Sequence, residues 1–313
     1  MKSRQVYVML VVVQVLFSTL PIAVKVALRE LSSPALAMLR VSFAAILFLV
    51  LQRVLVGERV HSPRDYLELA LYSVFGVIAN QLLYITALSL TTATAAQTFT
   101  AAGPAMTLLI AILLRKESAT PAKWLGIGLA ASGALYLVGL GGATGAALGN
   151  LLALLNVACF SVYLVISRGL VQRYHPLTVI TWVFVFGVPG MMPWGAAPLL
   201  AEAGRATAVT WAALAWIVVG PTVGAYYLNV YALTRVESSV VSVFVYIQPI
   251  LTAVLATWLL HERPSARLLP AALLIFAGVS VTVWAGRLAR ARGAVQDAAE
   301  LVEEGTEQKC VSA

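Results

Sequence analysis

Charge is what this sequence has least of. Lys, Arg, Asp and Glu make up 11% of its 313 residues, against about a quarter in an ordinary soluble domain. No Asp or Glu falls within the central part of any long apolar run, which excludes the carboxylate proton relay common in pumps. Histidine is scarce too. His61, His175 and His261 are scattered over the ends of apolar runs, with no metal-ligand spacing, phosphate-binding glycine loop or serine motif around them. No cofactor or metal is therefore expected, and no catalytic group. Two cysteines, Cys159 inside an apolar run and Cys310 near the end, imply no disulfide framework.

What is abundant is apolar side chain, at 61% of residues with a mean hydropathy of +0.91. One soluble core cannot hide that much, and the chain is expected in lipid. Spanning a hydrocarbon core of roughly 30 Å takes about 20 apolar helical residues. Ten such runs can be placed, near 5–26, 34–56, 67–89, 92–114, 121–140, 149–168, 176–195, 208–232, 238–260 and 267–286. Their length and short connections favour helices over the roughly 10-residue alternating strands of a barrel. The expected class is an all-α polytopic membrane protein. The run after Met1 to Arg4 is longer than a signal-peptide core and closes without a small-residue cleavage site, so it reads as the first span.

A net charge of +8 raises the possibility of a nucleic-acid partner, but its distribution follows the positive-inside rule instead. With the N-terminus inside, fifteen Lys and Arg fall on inner segments and five on outer ones (Lys25, Arg29, Arg205, Arg263 and Arg267), while Arg40 lies within a span. Both termini are then cytoplasmic, in a multi-pass protein of the cell membrane. The charged stretch 287–313 reads as a cytoplasmic tail.

The stretch Leu83 to Val138 recurs 145 residues later as Leu228 to Val283, with twelve of 56 columns identical. The scarce types decide the match: Pro104, Glu117 and Gly133 return as Pro249, Glu262 and Gly278. Phe17, Ser18 and Lys25 return as Phe160, Ser161 and Arg168 at an offset of 143. The uncharged stretch Gly141 to Gly145 lies between the copies, so the halves are taken as 1–143 and 144–286. Five helices per half is an odd number, and the second copy must enter the membrane from the opposite side. Inverted repeats of this kind hold a substrate site near the midplane in many transporters.

Candidate site residues are those costly to leave in lipid. Asn80 and Tyr84 lie one turn apart in the third span, Gln97 is in the fourth, Tyr163 in the sixth, Tyr227 in the eighth, and Tyr246 and Gln248 in the ninth. Lys25 and Arg40 are the cations nearest the outer mouth. Pro21, Pro104 and Pro249 are candidate helix breaks, since proline frees a carbonyl one turn earlier. Each type also has a purely structural use. Buried amides bond between helices, tyrosines pack, and long cations snorkel to the interface.

The first two spans, with Phe17, Ser18, Lys25, Pro34 and Arg40 before Val41 to Ala45, resemble the EamA branch of the drug/metabolite transporter superfamily. So do the fourth and ninth spans. One runs from Ala87 and Leu88 through Thr91 to Thr94, then Pro104 and Glu117; the other from Ala232 and Leu233 through Ser238 and Ser239, then Pro249 and Glu262. The resemblance implies ten helices in inverted repeats, cytoplasmic termini, and a cavity lined mainly by helices one, three, four, six, eight and nine. It also implies export or exchange of small metabolites, often amino acids. Expected partners are a small-molecule substrate and the lipid bilayer, with no nucleic acid, in a monomer or homodimer. The competing class, a membrane enzyme acting on lipid-linked substrates, requires a His, Asp or metal constellation that the sequence does not supply.

Overall fold

The computed structural model describes residues 3–139, 145–228, 244–245, 247–263 and 265–286. Tyr246, most of the linker and the tail 287–313 lie outside the described residues. Within them the chain is all helix and turn. The helices are α1 (Ser3–Ala27), α2 (Ser33–Leu55), α3 (Pro63–Leu90), α4 (Ala93–Ala101), α5 (Gly103–Leu113), α6 (Pro121–Val138), α7 (Gly145–Ile166), α8 (Arg168–Arg173), α9 (Pro176–Glu202), α10 (Ala208–Leu228), α11 (Ile247–Leu259) and α12 (Leu268–Gly286). Seven are long and apolar enough to cross a membrane, and α4 with α5 makes an eighth if that bent pair is one span. Helices α6 and α11 fall at the fifth and ninth expected positions.

Local chemistry explains where the helices begin. Hydroxyl-bearing caps recur: Ser62 Oγ accepts from Arg64 N, Thr92 Oγ1 from Ala95 N and Thr120 Oγ1 from Lys123 N. Pro34, Pro63, Pro121 and Pro176 occupy first turns, where a missing N–H costs nothing. Gly139, at φ 74°, ends α6 in the left-handed conformation that glycine tolerates best.

Interruptions inside the membrane are repeated. A π-helical turn, Val74–Ile78, lies within α3 and another, Val218–Gly224, within α10. The repeat offset carries the first onto the second. In α10, Pro221 cannot donate to the Ile217 carbonyl, and Thr222 Oγ1 donates to that oxygen instead at 2.7 Å. Between α4 and α5 the chain bends by 46° at Ala102, just before Gly103 and Pro104. Pro21 does not break α1, which runs through it, and α9 stays one helix through Pro189, Pro193 and Pro198.

Packing follows the same duplication. Helix α1 contacts α10 and α11, while α7 contacts α3, α4 and α5. Thr252 Oγ1 donates to the Ser18 carbonyl at 3.2 Å, and Thr107 Oγ1 donates to Ser161 Oγ at 3.1 Å, a pair of contacts that the two offsets interchange. Helix α2 runs along α9, where Gly195 lies against Met38. Helix α6 meets α12 through glycine: a methyl on Gly126 would come within 2.6 Å of the Gly278 carbonyl oxygen. Backbones approach closely at small residues because apolar burial gives no preference for helix over lipid. Val8, Ile46, Val54, Leu67, Trp258 and Leu273 all stay more than half exposed, as lipid-facing side chains do.

Candidate functional site

A chain of primary amides joins three helices at depth. Gln97 Nε2 on α4 donates to Gln248 Oε1 on α11 at 2.6 Å, and Gln248 Nε2 donates to Gln14 Oε1 on α1 at 2.6 Å. Ser18 Oγ extends the chain by donating to the Gln14 carbonyl at 2.7 Å. All four side chains are buried. An unpaired amide away from water costs on the order of 1–3 kcal/mol, and the head-to-tail arrangement gives each glutamine a partner. Gln14 and Ser18 are the members absent from the candidate site residues. Their spacing of four, which puts both on one polar face of the first helix, is the signal that points to them.

Helices α3 and α7 meet through a second group. Asn156 Nδ2 donates to the Asn80 carbonyl at 2.8 Å, Asn80 Nδ2 returns a long bond to the Asn156 carbonyl at 3.5 Å, and Gln81 Nε2 donates to Asn80 Oδ1 at 3.1 Å. The Tyr163 ring lies over Gly76, where a methyl would sit 2.7 Å from its nearest ring atom. The glycine in the π turn is thus the seat for that ring. Tyr84 is buried on α3.

Arg40 does not reach the surface. The residue is 6% exposed, its Nη2 donates to Thr222 Oγ1 at 3.3 Å, and its Nε is buried without a partner. Tyr227 is 47% exposed and takes part in none of these groups. Its neighbour Tyr226 turns inward, donating to the Pro176 carbonyl at 3.1 Å and packing edge-on against Phe48.

Lys25 belongs to a different place, at the end of α1. Its Nζ lies 3.6 Å from Glu262 Oε1. The same carboxylate accepts from Ala93 N at 2.8 Å, Thr94 N at 3.4 Å and Thr94 Oγ1 at 3.3 Å, all at the start of α4. An anion at a helix N-terminus meets unsatisfied N–H groups and the positive end of the dipole. Glu262 therefore ties the end of α11 to α1 and α4. Beside it is a cavity of about 320 Å³ lined by Lys25, Leu28, Arg29, Leu88, Ser89, Leu260 and Glu262. Its repeat counterpart, Glu117, is bound locally by Lys123 Nζ at 3.2 Å.

Known proteins place this architecture. A relative from Archaeoglobus fulgidus described as an uncharacterized transporter is 27% identical over 265 residues, covering 83% of this chain and 91% of its own. A crystal structure at 21% identity covers 91% of this chain and 99% of the solved one with a TM-score of 0.58, a likeness of fold. The model of the EamA-like transporter family matches twice, at residues 4–139 and 147–284. With both matches spanning nearly all the helical bundle, the chain belongs to the EamA-like transporter family.

Proposed function

We propose that this membrane transporter is a secondary exporter or facilitator of small polar or amphipathic metabolites such as amino acids. It works by alternating access between two inverted repeats, 1–143 and 144–286. The observation that carries the reading is the buried amide chain from Gln97 through Gln248 to Gln14, which bonds the first repeat to the second with neutral groups. Such groups satisfy one another when the halves are together and are free to bond a solute when they part. The interchangeable contacts of Thr252 with Ser18 and Thr107 with Ser161 support one packing scheme used twice. The unequal treatment of Glu262 and Glu117 supports a state in which one end of the bundle is latched and the other is not. Asn80, Tyr84, Gln97, Tyr163 and Gln248 are the proposed contacts, and Pro104 with Pro249 the positions where helices give way.

In this reading, which the charge distribution supports, both termini are cytoplasmic and the Glu262 latch is outside. Flux follows the solute gradient, since no carboxylate is available mid-span. Uptake of labelled amino acids and sugars into liposomes tests the reading. Saturable flux that requires the protein is expected, and rates equal to protein-free liposomes across the panel would end it.

A further inference from the structure

Among the described residues Arg40 is the one cation buried inside a span away from both ends. It lies seven residues into α2, about 10 Å along the helix axis. A snorkelling arginine would carry its head to the interface, yet this residue is 6% exposed and its Nε is enclosed. A guanidinium has five N–H donors and does not deprotonate in proteins. Among the described residues one donor is used, on Thr222, and none of the ion pairs includes Arg40. An unpaired charge in so apolar a place is among the most destabilising features a fold can carry, and it persists where function requires it.

Three helices converge on the charge. Thr222, in the π turn of α10, receives the Nη2 bond and passes its own proton to the Ile217 carbonyl. Tyr84 is buried on the part of α3 that packs against α2. Among the described residues the surroundings thus offer one positive charge, the Thr222 hydroxyl and a buried phenol on the neighbouring helix, with no ion-pair partner. A cationic solute is repelled there. A phosphate dianion lacks a second cation. A single carboxylate fits, because its two oxygens match the fork of a guanidinium.

We propose that Arg40 is the anion-binding residue of the transport site and that the substrates are small solutes bearing one carboxylate, held with the help of Thr222 and Tyr84. The inference rests on the transporter reading for its location but is tested apart from it. Thermal unfolding of purified protein is followed with L-alanine, L-leucine, L-phenylalanine and propionate, and with the amide of each. At least one free acid raises the wild-type melting temperature and its amide does not. Arg40→Gln melts higher than wild type without solute, because an unpaired charge has gone, and needs about tenfold to hundredfold more acid for the same shift. Arg40→Lys recovers part of the response. Equal stabilisation by acid and amide, no stabilisation by any member, or an Arg40→Gln protein that melts lower with its acid response intact would each overturn the assignment. Liposome flux measured on the same preparations separates the two ideas. If acids stabilise through Arg40 but nothing is carried, the transport reading fails alone; if solutes are carried and Arg40→Gln leaves acid flux unchanged, the Arg40 assignment fails alone.

Discussion

Replacing Glu262 by Gln takes one charge out of the contact that holds the end of α11 to the start of α4. The side chain is 10% exposed and its partner Lys25 24%. Gln retains one acceptor oxygen, so the 2.8 Å bond from Ala93 N survives in neutral form, while the longer bonds from Thr94 weaken and the Lys25 attraction is lost. A charged hydrogen bond exceeds a neutral one by about 1 kcal/mol, and a half-screened pair at this distance adds about 0.5 kcal/mol. Long bonds contribute less, so the total is about 2 kcal/mol, equivalent to a shift of roughly thirtyfold toward the unlatched state. Thr98 is buried one turn further along α4. In a background lacking Cys159 and Cys310, Thr98→Cys is probed on intact cells with a membrane-impermeant maleimide. Glu262→Gln should raise its labelling rate by about tenfold to thirtyfold, with Lys25→Gln giving a smaller rise. A change of less than about twofold in Glu262→Gln would show that the carboxylate does not control access at this end, since even a 1 kcal/mol effect exceeds that.

Other outcomes follow from the packing and the amides. Gly126→Val should lower the melting temperature strongly, as overpacking costs about 1–3 kcal/mol or more and the Gly278 carbonyl, the Thr282 backbone N and the Thr282 methyl all crowd the added atoms, whereas Gly128→Ala, with nothing within 4 Å, should change little. Gln97→Leu and Gln248→Leu should each destabilise by about 1–3 kcal/mol by stranding a partner amide, and the double variant by less than their sum, as a double-mutant cycle in unfolding would read. Glu30 titrates below its ordinary value of 4.5, chiefly because it accepts from the Thr207 backbone N–H and then from the Thr210 and Thr207 hydroxyls. A depressed folded value means stabilisation that is present above the ordinary range and is lost as pH falls through the folded one. Melting temperature against pH should therefore fall more steeply in acid for wild type than for Glu30→Gln.

Much of this fold is legible in the sequence because lipid leaves few choices. The apolar runs become helices, and the serine, threonine and proline at their starts mark the first turns. The duplication is visible through Pro104, Glu117 and Gly133, types that apolar windows rarely contain. The amides are legible for a related reason: Asn80, Gln97 and Gln248 have nowhere to go but inward. Periodicity fails in the eighth span, where regular helical spacing puts Tyr227 on one face with Gly220 and Gly224. The π turn at Val218–Gly224 inserts extra backbone, and each extra residue turns the following helix by about 100°. Tyr226 is accordingly the inward ring and Tyr227 the exposed one. The meeting of Lys25 with Glu262, 237 residues apart, is a matter of assembly between halves, and local spacing carries no trace of it.

The ends of the two repeats are tied down by one contact written with opposite signs. Glu30, beyond α1, takes Thr207 N and the Thr210 hydroxyl at the head of α10 at 2.8 and 2.7 Å. The offsets carry Glu30 and Thr210 onto Arg173 and Asp65, and there Arg173 Nη1 donates to Asp65 Oδ1 at 2.7 Å, with Nη2 reaching Glu68 at 3.1 Å. In the proposed orientation the acid faces the exterior and the base the cytoplasm. A shared fastening has thus taken on the polarity of the membrane itself, and neither half can stand in for the other. A gene carrying the first half twice would place an acid on both sides, tying the interior end with Glu30 against the acidic start of α3 and repelling where the native chain attracts.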